Sequence, residues 1–488
     1  MYTRKDSIFA VVMLICGFLY CNLIFVTNSG FGVTLFTVIF CTVTVVYLTQ
    51  SGFRQTRGSL AYLGIIALAA VNFSLNDNNI IKGFLIIFLS VSAVYWICVS
   101  TGRRLEHRIS IYLFADFFHQ LFVVPFWNFA CCFGGIRHLL LKNRSGKGLL
   151  SGIIGIFFML PVLILVVTLL TDADAAFEGL VKHFQFSISE SIFIYLRQLI
   201  LGIPIACYLY GLIYGDLHGK NTDLVTLDLV DRKAAALKFA PGVTVYSALT
   251  VLNLVYVIFF LSQLSYLFSA FGNSLPETMT YAEYARRGFF ELCAVSGINL
   301  AVIVIAHAIT KRERERIMRI ETVVLCLFTM MLIVTALSKM GMYISYYGLT
   351  QLRVYTTWFM ILLLLVFIII TIRQFRKFNG MKIATVGFLI LFLGLCYSNM
   401  DGIIAKYNID RYQEGSLERI DVGAMSQLSD AAVPYLYELY QKTDDKSLKT
   451  ELRAAIFEIP VRSGPSYQET FRDWNLQKMK ADQIRKRI

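Results

Sequence analysis

Apolar runs long enough to cross a bilayer recur from Ser7 to Ser398, and no other feature constrains the fold of this chain as tightly. About 18 apolar residues or more, wound as a helix, span a hydrocarbon core ~30 Å thick. Candidate spans fall at 7–26, 31–49, 60–75, 80–100, 149–171, 192–214, 243–268, 288–309, 320–338, 354–372 and 383–398. Backbone groups inside a bilayer must bond to one another, so each span is expected to be a helix. Composition agrees: 57% of residues are hydrophobic and 16% charged, against about 25% charged in a soluble domain. The expected fold class is all-α: a polytopic transmembrane helical bundle of about eleven spans, N-in and C-out, with a small C-terminal extracytoplasmic helical domain.

The orientation comes from charge. The net charge is +13, but the bases sit mainly in short loops between apolar runs. That pattern reads as membrane orientation, not as nucleic-acid binding. With the N-terminus inside, the inner loops hold Arg54 and Arg57, Arg103, Arg104 and Arg108, Lys220 to Lys238, Lys311 to Arg319, and Arg373 to Lys382. The outer loops hold few bases. Residues 109–135 test this parity. They are apolar, yet both flanks are basic, and Asp116, His119, Pro125 and Asn128 interrupt them. If they crossed, every later loop would invert, so they are expected to form an interfacial or re-entrant element. The expected regions are 1–108, four membrane helices; 109–148, the interfacial segment and a basic loop; 149–398, a main membrane domain of about seven spans; and 399–488, an extracytoplasmic tail.

The N-terminal run is too long for a signal-peptide core and lacks a small-x-small cleavage pattern, so it reads as a retained helix. All ten cysteines lie in apolar segments, which argues against a disulfide framework or zinc knuckle in the tail. In the tail, Ser429 is expected to cap a helix carrying Val433, Leu436, Tyr437 and Tyr440 on one face. A second helix aligns Leu448, Leu452, Ala455, Ile456 and Ile459, and Thr443-Asp444-Asp445 turns between the two. The basic stretch from Leu476 to Ile488 reads as a frayed, solvated end.

No catalytic motif occurs: there is no Walker A loop, HExxH or GxSxG. No catalytic, cofactor-binding or metal-ligating residue is assigned. Polar density gathers instead at the expected outer boundary, in Asp172, Asp174, Arg197, Glu283, Arg286, Arg287, Glu291, Arg353, Asp410 and Arg411. Glu283, Arg287 and Glu291 lie along one helix face. Arg197 lies about 8 Å inside its span by helical rise, which gives it reason to seek a carboxylate. The plain account is that these charges hold the outer helix ends together and seat the tail. An anionic-ligand site, a transport pathway near Pro161, Pro204 and Arg197, and an unrecognised enzyme site are the alternatives.

Four strings carry a resemblance: LLTDADAAF (169–177), YAEYARRGFFEL (281–292), YGLTQLRVY (347–355) and IAKYNIDRY (404–412). With them the chain resembles the DUF4173/DUF4153-like bacterial polytopic membrane proteins, a group classed as a domain of unknown function. The resemblance implies a bacterial cell membrane and supplies no reaction, cofactor or catalytic residue. The expected partners are membrane lipids and an envelope or membrane protein met by residues 399–488.

Overall fold

The computed structural model describes residues 2–25, 27, 29–141, 152, 155, 159, 162–163, 166–167, 169–171, 173–174, 176–181, 190–271, 289–311, 315–417, 419–458 and 470–488. Among the described residues the chain is all-helical; the sole pairing of extended residues is a bridge between Ala240 and Thr310. Ten helices among the described residues are long and apolar enough to cross a membrane. The eleventh expected span, 149–171, falls largely outside the described residues.

Among the first four spans, the third packs against both the second and the fourth. The four are α1 (Arg4–Tyr20, extended by a π-helical turn, Cys21–Phe25), α2 (Phe31–Gln50), α3 (Arg57–Leu75) and α4 (Asn79–Thr101). Their starts are written locally. Thr3 and Asp6 make a reciprocal capping box for α1, and Thr56 and Ser59 make one for α3. Asn78 caps α4, which stops at Gly102 with φ 72°.

Next comes a broken element: α5 (Leu113–Phe118), a π-helical turn (His119–Val123), α6 (Val124–Trp127) and α7 (Cys131–Leu141). Its two halves bend by 44°. It packs on α8 (Glu190–His218). Tyr208 donates to Leu121 O at 3.0 Å, and Gln120 Nε2 to Asp216 Oδ1 at 3.0 Å. Asn128 Nδ2 donates to Lys220 O at 2.8 Å. These contacts span about 15 Å of an α8 axis about 43 Å long. At the far end of the element, Ser7 Oγ lies 3.0 Å from His138 Nδ1, beside the start of α1. The element therefore enters and leaves at one end of the bundle. Gly211 and Gly215 admit it: a Cβ at either position would press on Pro125 O or on Asn128. Gly17 and Gly202 likewise bring the α1 and α8 backbones into contact.

After α9 (Leu227–Ala236) come α10 (Gly242–Phe271), α11 (Phe289–Ile309), α12 (Glu315–Tyr347), α13 (Gln351–Phe375) and α14 (Gly380–Tyr397). Two apolar cores result. One joins α1–α4, α7 and α8, and the other joins α10–α13. Helix α14 links them through stacked Phe388 and Phe392, with Trp358 of α13 on one side and Phe88 of α4 on the other. In the second core, Tyr256 OH donates to Asn299 Oδ1 at 2.7 Å and Asn299 Nδ2 to Thr329 Oγ1 at 2.9 Å.

The contacts sort the helix ends. At the N-terminal end of α1, Lys5 meets Gln50 O, Arg103 Nε meets Asp216 O at 2.9 Å, and Asn379 Nδ2 meets Ile109 O at 2.7 Å. The basic loops near residues 54, 103, 220 and 377 thus share one end. The other end carries the tail: α15 (Met400–Gln413), α16 (Val422–Ser426), α17 (Val433–Lys442), α18 (Lys446–Glu458) and α19 (Leu476–Arg485). Its core includes Ile404, Val433, Leu436, Leu452, Ile456 and Ala481. The α17–α18 hairpin buries Val433, Leu436, Leu448, Leu452, Ala455 and Ile456 as expected, with Tyr437 and Tyr440 partly buried; Ile459 lies outside the described residues. Ser429, however, makes no side-chain cap; a 3₁₀ turn at Asp430–Ala432 precedes α17, and Ser429 N donates to Asp401 instead. The basic C-terminus is not frayed. Ala481 and Ile484 of α19, and Ile488 beyond its end, pack against the tail core, while Lys480 and Lys486 are exposed.

Candidate functional site

The polar junction between bundle and tail is the most extensively bonded site at this end. Asp401 is 1% exposed and lies in the first turn of α15, just past a left-handed Asn399. Its carboxylate accepts from Asn78 Nδ2 (2.9 Å), Gln351 Nε2 (2.8 Å) and Ser429 N (2.9 Å). One carboxylate thus ties α4, α13 and the tail. Beside it, Gln477 Nε2 donates to Asn76 Oδ1 and Asn399 Oδ1, each at 2.8 Å, and Asn475 Nδ2 donates to Asp77 Oδ1 at 2.7 Å. Trp474 O accepts from Phe31 N at 2.9 Å, and Arg472 Nη1 donates to Asn22 O at 2.8 Å. Within the tail Arg485 pairs with Asp430. Burial and the nearby Asp77 charge push the Asp430 carboxyl up to about 6, with Arg485 opposing.

The residues expected to form an outer cluster divide. Arg353 donates to Tyr347 O (3.1 Å) and Gly348 O and lies 4.1 Å over the Tyr343 ring. Arg411 donates to Ile344 O at 3.3 Å. The two arginines thus meet at the C-terminus of α12, where cations satisfy free carbonyls and complement the helix dipole. Asn408 brackets Leu349, accepting from its N–H at 2.7 Å and donating to its carbonyl at 2.8 Å. Two of the four family-like strings, 347–355 and 404–412, therefore pack on each other. Asp410 is exposed. Asp174 caps its own chain, accepting from Ala176 N (2.7 Å) and Phe177 N (3.2 Å). Arg197 is exposed on α8; its neighbour Gln198 is the buried group, accepting from Asn22 Nδ2 at 2.9 Å. Glu291 is exposed at the start of α11, within electrostatic reach of Lys339. Asp172, Glu283, Arg286 and Arg287 lie outside the described residues.

Sequence reasoning missed a second polar knot at the opposite, basic end. Asp6 is 1% exposed and accepts from Thr3 N and Tyr47 OH, both at 2.7 Å, with His218 Nε2 at 3.1 Å. Asp216 is fully buried, accepting from Gln120 Nε2 through Oδ1, while its Oδ2 has no hydrogen-bond partner among the described residues. Lys220 Nζ contacts Cys131 Sγ at 3.3 Å. The available signals were an aspartate just inside an apolar run and an Asp-x-His at the end of another. Ser7 and His138 are paired, but Ser7 is fully buried and also donates to Thr3 O, so no substrate reaches it. Among the described residues no group of three or more His, Cys, Asp or Glu is placed to hold a metal. The chemistry of both ends is that of helix-tying: Asp401 and Asp6 are each met by donors from other elements.

Comparison with known families decides the grouping. A family model described as a domain of unknown function (DUF4153) matches residues 63–439, more than half of the chain. The chain belongs to the DUF4153 family. The DUF4153 match takes in Asp401, Asn408, Asp216 and the α12–α13 corner, and leaves out α1, α2 and the last tail helices. Comparison with curated proteins and with solved structures finds no significant match. This DUF4153 protein is an integral, multi-pass membrane protein by its ten span-length helices.

Proposed function

We propose that the chain is a non-catalytic scaffold of the cell membrane, its basic end cytosolic and its tail outside, whose helical tail engages an envelope or membrane protein. The proposal keeps 109–148 as an inner interfacial segment and 399–488 as the extracytoplasmic module. The observation that carries it is the Asp401 junction, a buried network that fixes the tail on the bundle in one orientation. A rigid mount presents a surface; it does not open a path. The hairpin leaves Glu438 and Phe457 exposed and the stacked Tyr437 and Tyr440 half-buried, away from the mount. Arg197 lies on an exposed flank, and the Tyr256–Asn299–Thr329 clamp satisfies itself, which favours a scaffold over a polar pathway. Photo-crosslinking from Tyr437 in intact cells tests this. Capture of a defined membrane or envelope protein is expected; capture of lipid alone would overturn it.

A further inference from the structure

We infer that the cavity between α1, α2, α4, α6 and α8 is a binding site for one acyl chain of a bilayer phospholipid, a property independent of the scaffold reading. The cavity holds about 520 Å³, and its wall includes Ile24, Phe36, Phe40, Val94, Phe126 and Tyr208. Phe40 is a middle residue of α2 and Phe25 ends the first span, so the cavity runs along the apolar length of the spans. Exposed members of the wall, Phe25 (67%) and Phe126 (58%) with Ser90 and Pro204, open it sideways toward lipid.

The wall is mainly apolar, and most of its few hydroxyls have their protons engaged, leaving water chiefly acceptor lone pairs. Thr37 donates to Val33 O and Ser90 to Ile86 O, both at 2.8 Å, and Tyr208 donates to Leu121 O at 3.0 Å. That leaves the Tyr20 hydroxyl and the Cys41 thiol as the other polar side-chain groups of the wall. A buried water needs two to four polar partners. An empty cavity forfeits contacts along its whole lining, and the cost grows with volume. Hydrocarbon is the occupant that the wall accepts and that the surroundings supply.

A second observation points to the same place. Both π-helical turns among the described residues contribute to this wall, Cys21–Phe25 through Ile24 and Phe25, and His119–Val123 through Leu121. So does Pro204, which lies inside α8. A helix surrenders regular bonding at a π turn or an internal proline, and such breaks gather at functional sites. Here three breaks on three elements widen one gap that regular helices would close.

The test uses the full chain in phosphatidylethanolamine–phosphatidylglycerol vesicles containing a phospholipid with a diazirine in its acyl chain. After irradiation, adducts are mapped by mass spectrometry. Adducts are expected on residues 36–41 and 204–212, besides those on the lipid-facing Leu60, Leu68 and Ile390. Ala93→Phe fills the cavity and should abolish the first set while sparing the second; Ser90→Phe at the mouth is the alternative filling variant. Wall adducts that persist in both folded variants, or no wall adducts in the native chain, would overturn the proposal. So would displacement of the phospholipid adducts by an equal amount of a polyprenyl phosphate, which would name a different occupant.

Discussion

Replacing Asp401 with alanine should release the tail without unfolding the bundle. The substitution strips the acceptor from three donors, the Asn78 and Gln351 amides and the Ser429 backbone N–H. Asn78 keeps a bond to Tyr355 OH, at 2.8 Å, and capping of Ile81 N by its carbonyl, so its loss is partial. Hydrogen bonds to a charged group contribute about 1.5–3 kcal/mol each, and a buried orphaned N–H costs about 1–3 kcal/mol. The site is 1% exposed, so water does not readily replace the lost partner. A total of about 4 kcal/mol follows once the residual Asn78 bonds are discounted, or roughly a thousandfold in an opening equilibrium. Hydrogen–deuterium exchange in detergent reads it directly. Protection of α16, α17 and the Ser429 amide should fall by about that factor in Asp401→Ala, while amides of α3, α4 and α12 keep theirs. Asp401→Asn keeps the shape and one acceptor oxygen but loses the charge, and should fall between. Unchanged tail exchange in Asp401→Ala would refute the junction as the mount.

Three further outcomes follow from named contacts. The Asp430 carboxyl is raised to about 6, above the ~3.9 of an unfolded chain. The packed tail therefore binds more protons than the unpacked one between those values. That contribution to tail stability is full below ~4 and is lost as pH rises through about 6; Asp430→Asn should flatten that profile in tail exchange. Gly17→Leu forces a side chain into the α8 backbone at Gly202 and should destabilise by about 1–3 kcal/mol or more, seen as a lowered thermal midpoint; an unchanged midpoint would contradict the close approach. Asn299→Ala breaks both bonds of the Tyr256–Thr329 clamp and should cost about 1–2 kcal/mol in detergent unfolding, the range for polar pairs between membrane helices.

Ten of the expected spans were legible because each is a long, mainly apolar run, and the bilayer leaves a helix as the way to satisfy its backbone. The α17–α18 hairpin was legible because Val433, Leu436, Leu448 and Leu452 repeat at helical spacing around a turn. Its entry was not, because the Ser429 backbone is bonded by Asp401, 28 residues earlier. Local rules cannot see such a partner. The same holds for Asp6, which meets His218 across 212 residues, and for Gly17 and Gly202, whose spacing carries no local pattern. Basic residues from Lys478 to Arg487 suggested solvation, yet Ala481 and Ile484 pack on the tail core and Arg485 turns inward to Asp430 and Ile456 O. Of the expected outer cluster, Arg353 and Arg411 met because both are drawn to the bare carbonyls at the end of α12. Arg197 did not join them, since it faces outward and Gln198 takes the interior position.

The central claim is that the basic loops and the tail occupy opposite sides of the membrane. Single cysteines at Lys233 and at Glu438, both exposed, in a chain whose native cysteines are replaced, test it with an impermeant maleimide on intact cells. Labelling at Glu438→Cys, with Lys233→Cys labelled only after permeabilisation, is the predicted result; the reverse pattern, or equal labelling of both, would contradict the account.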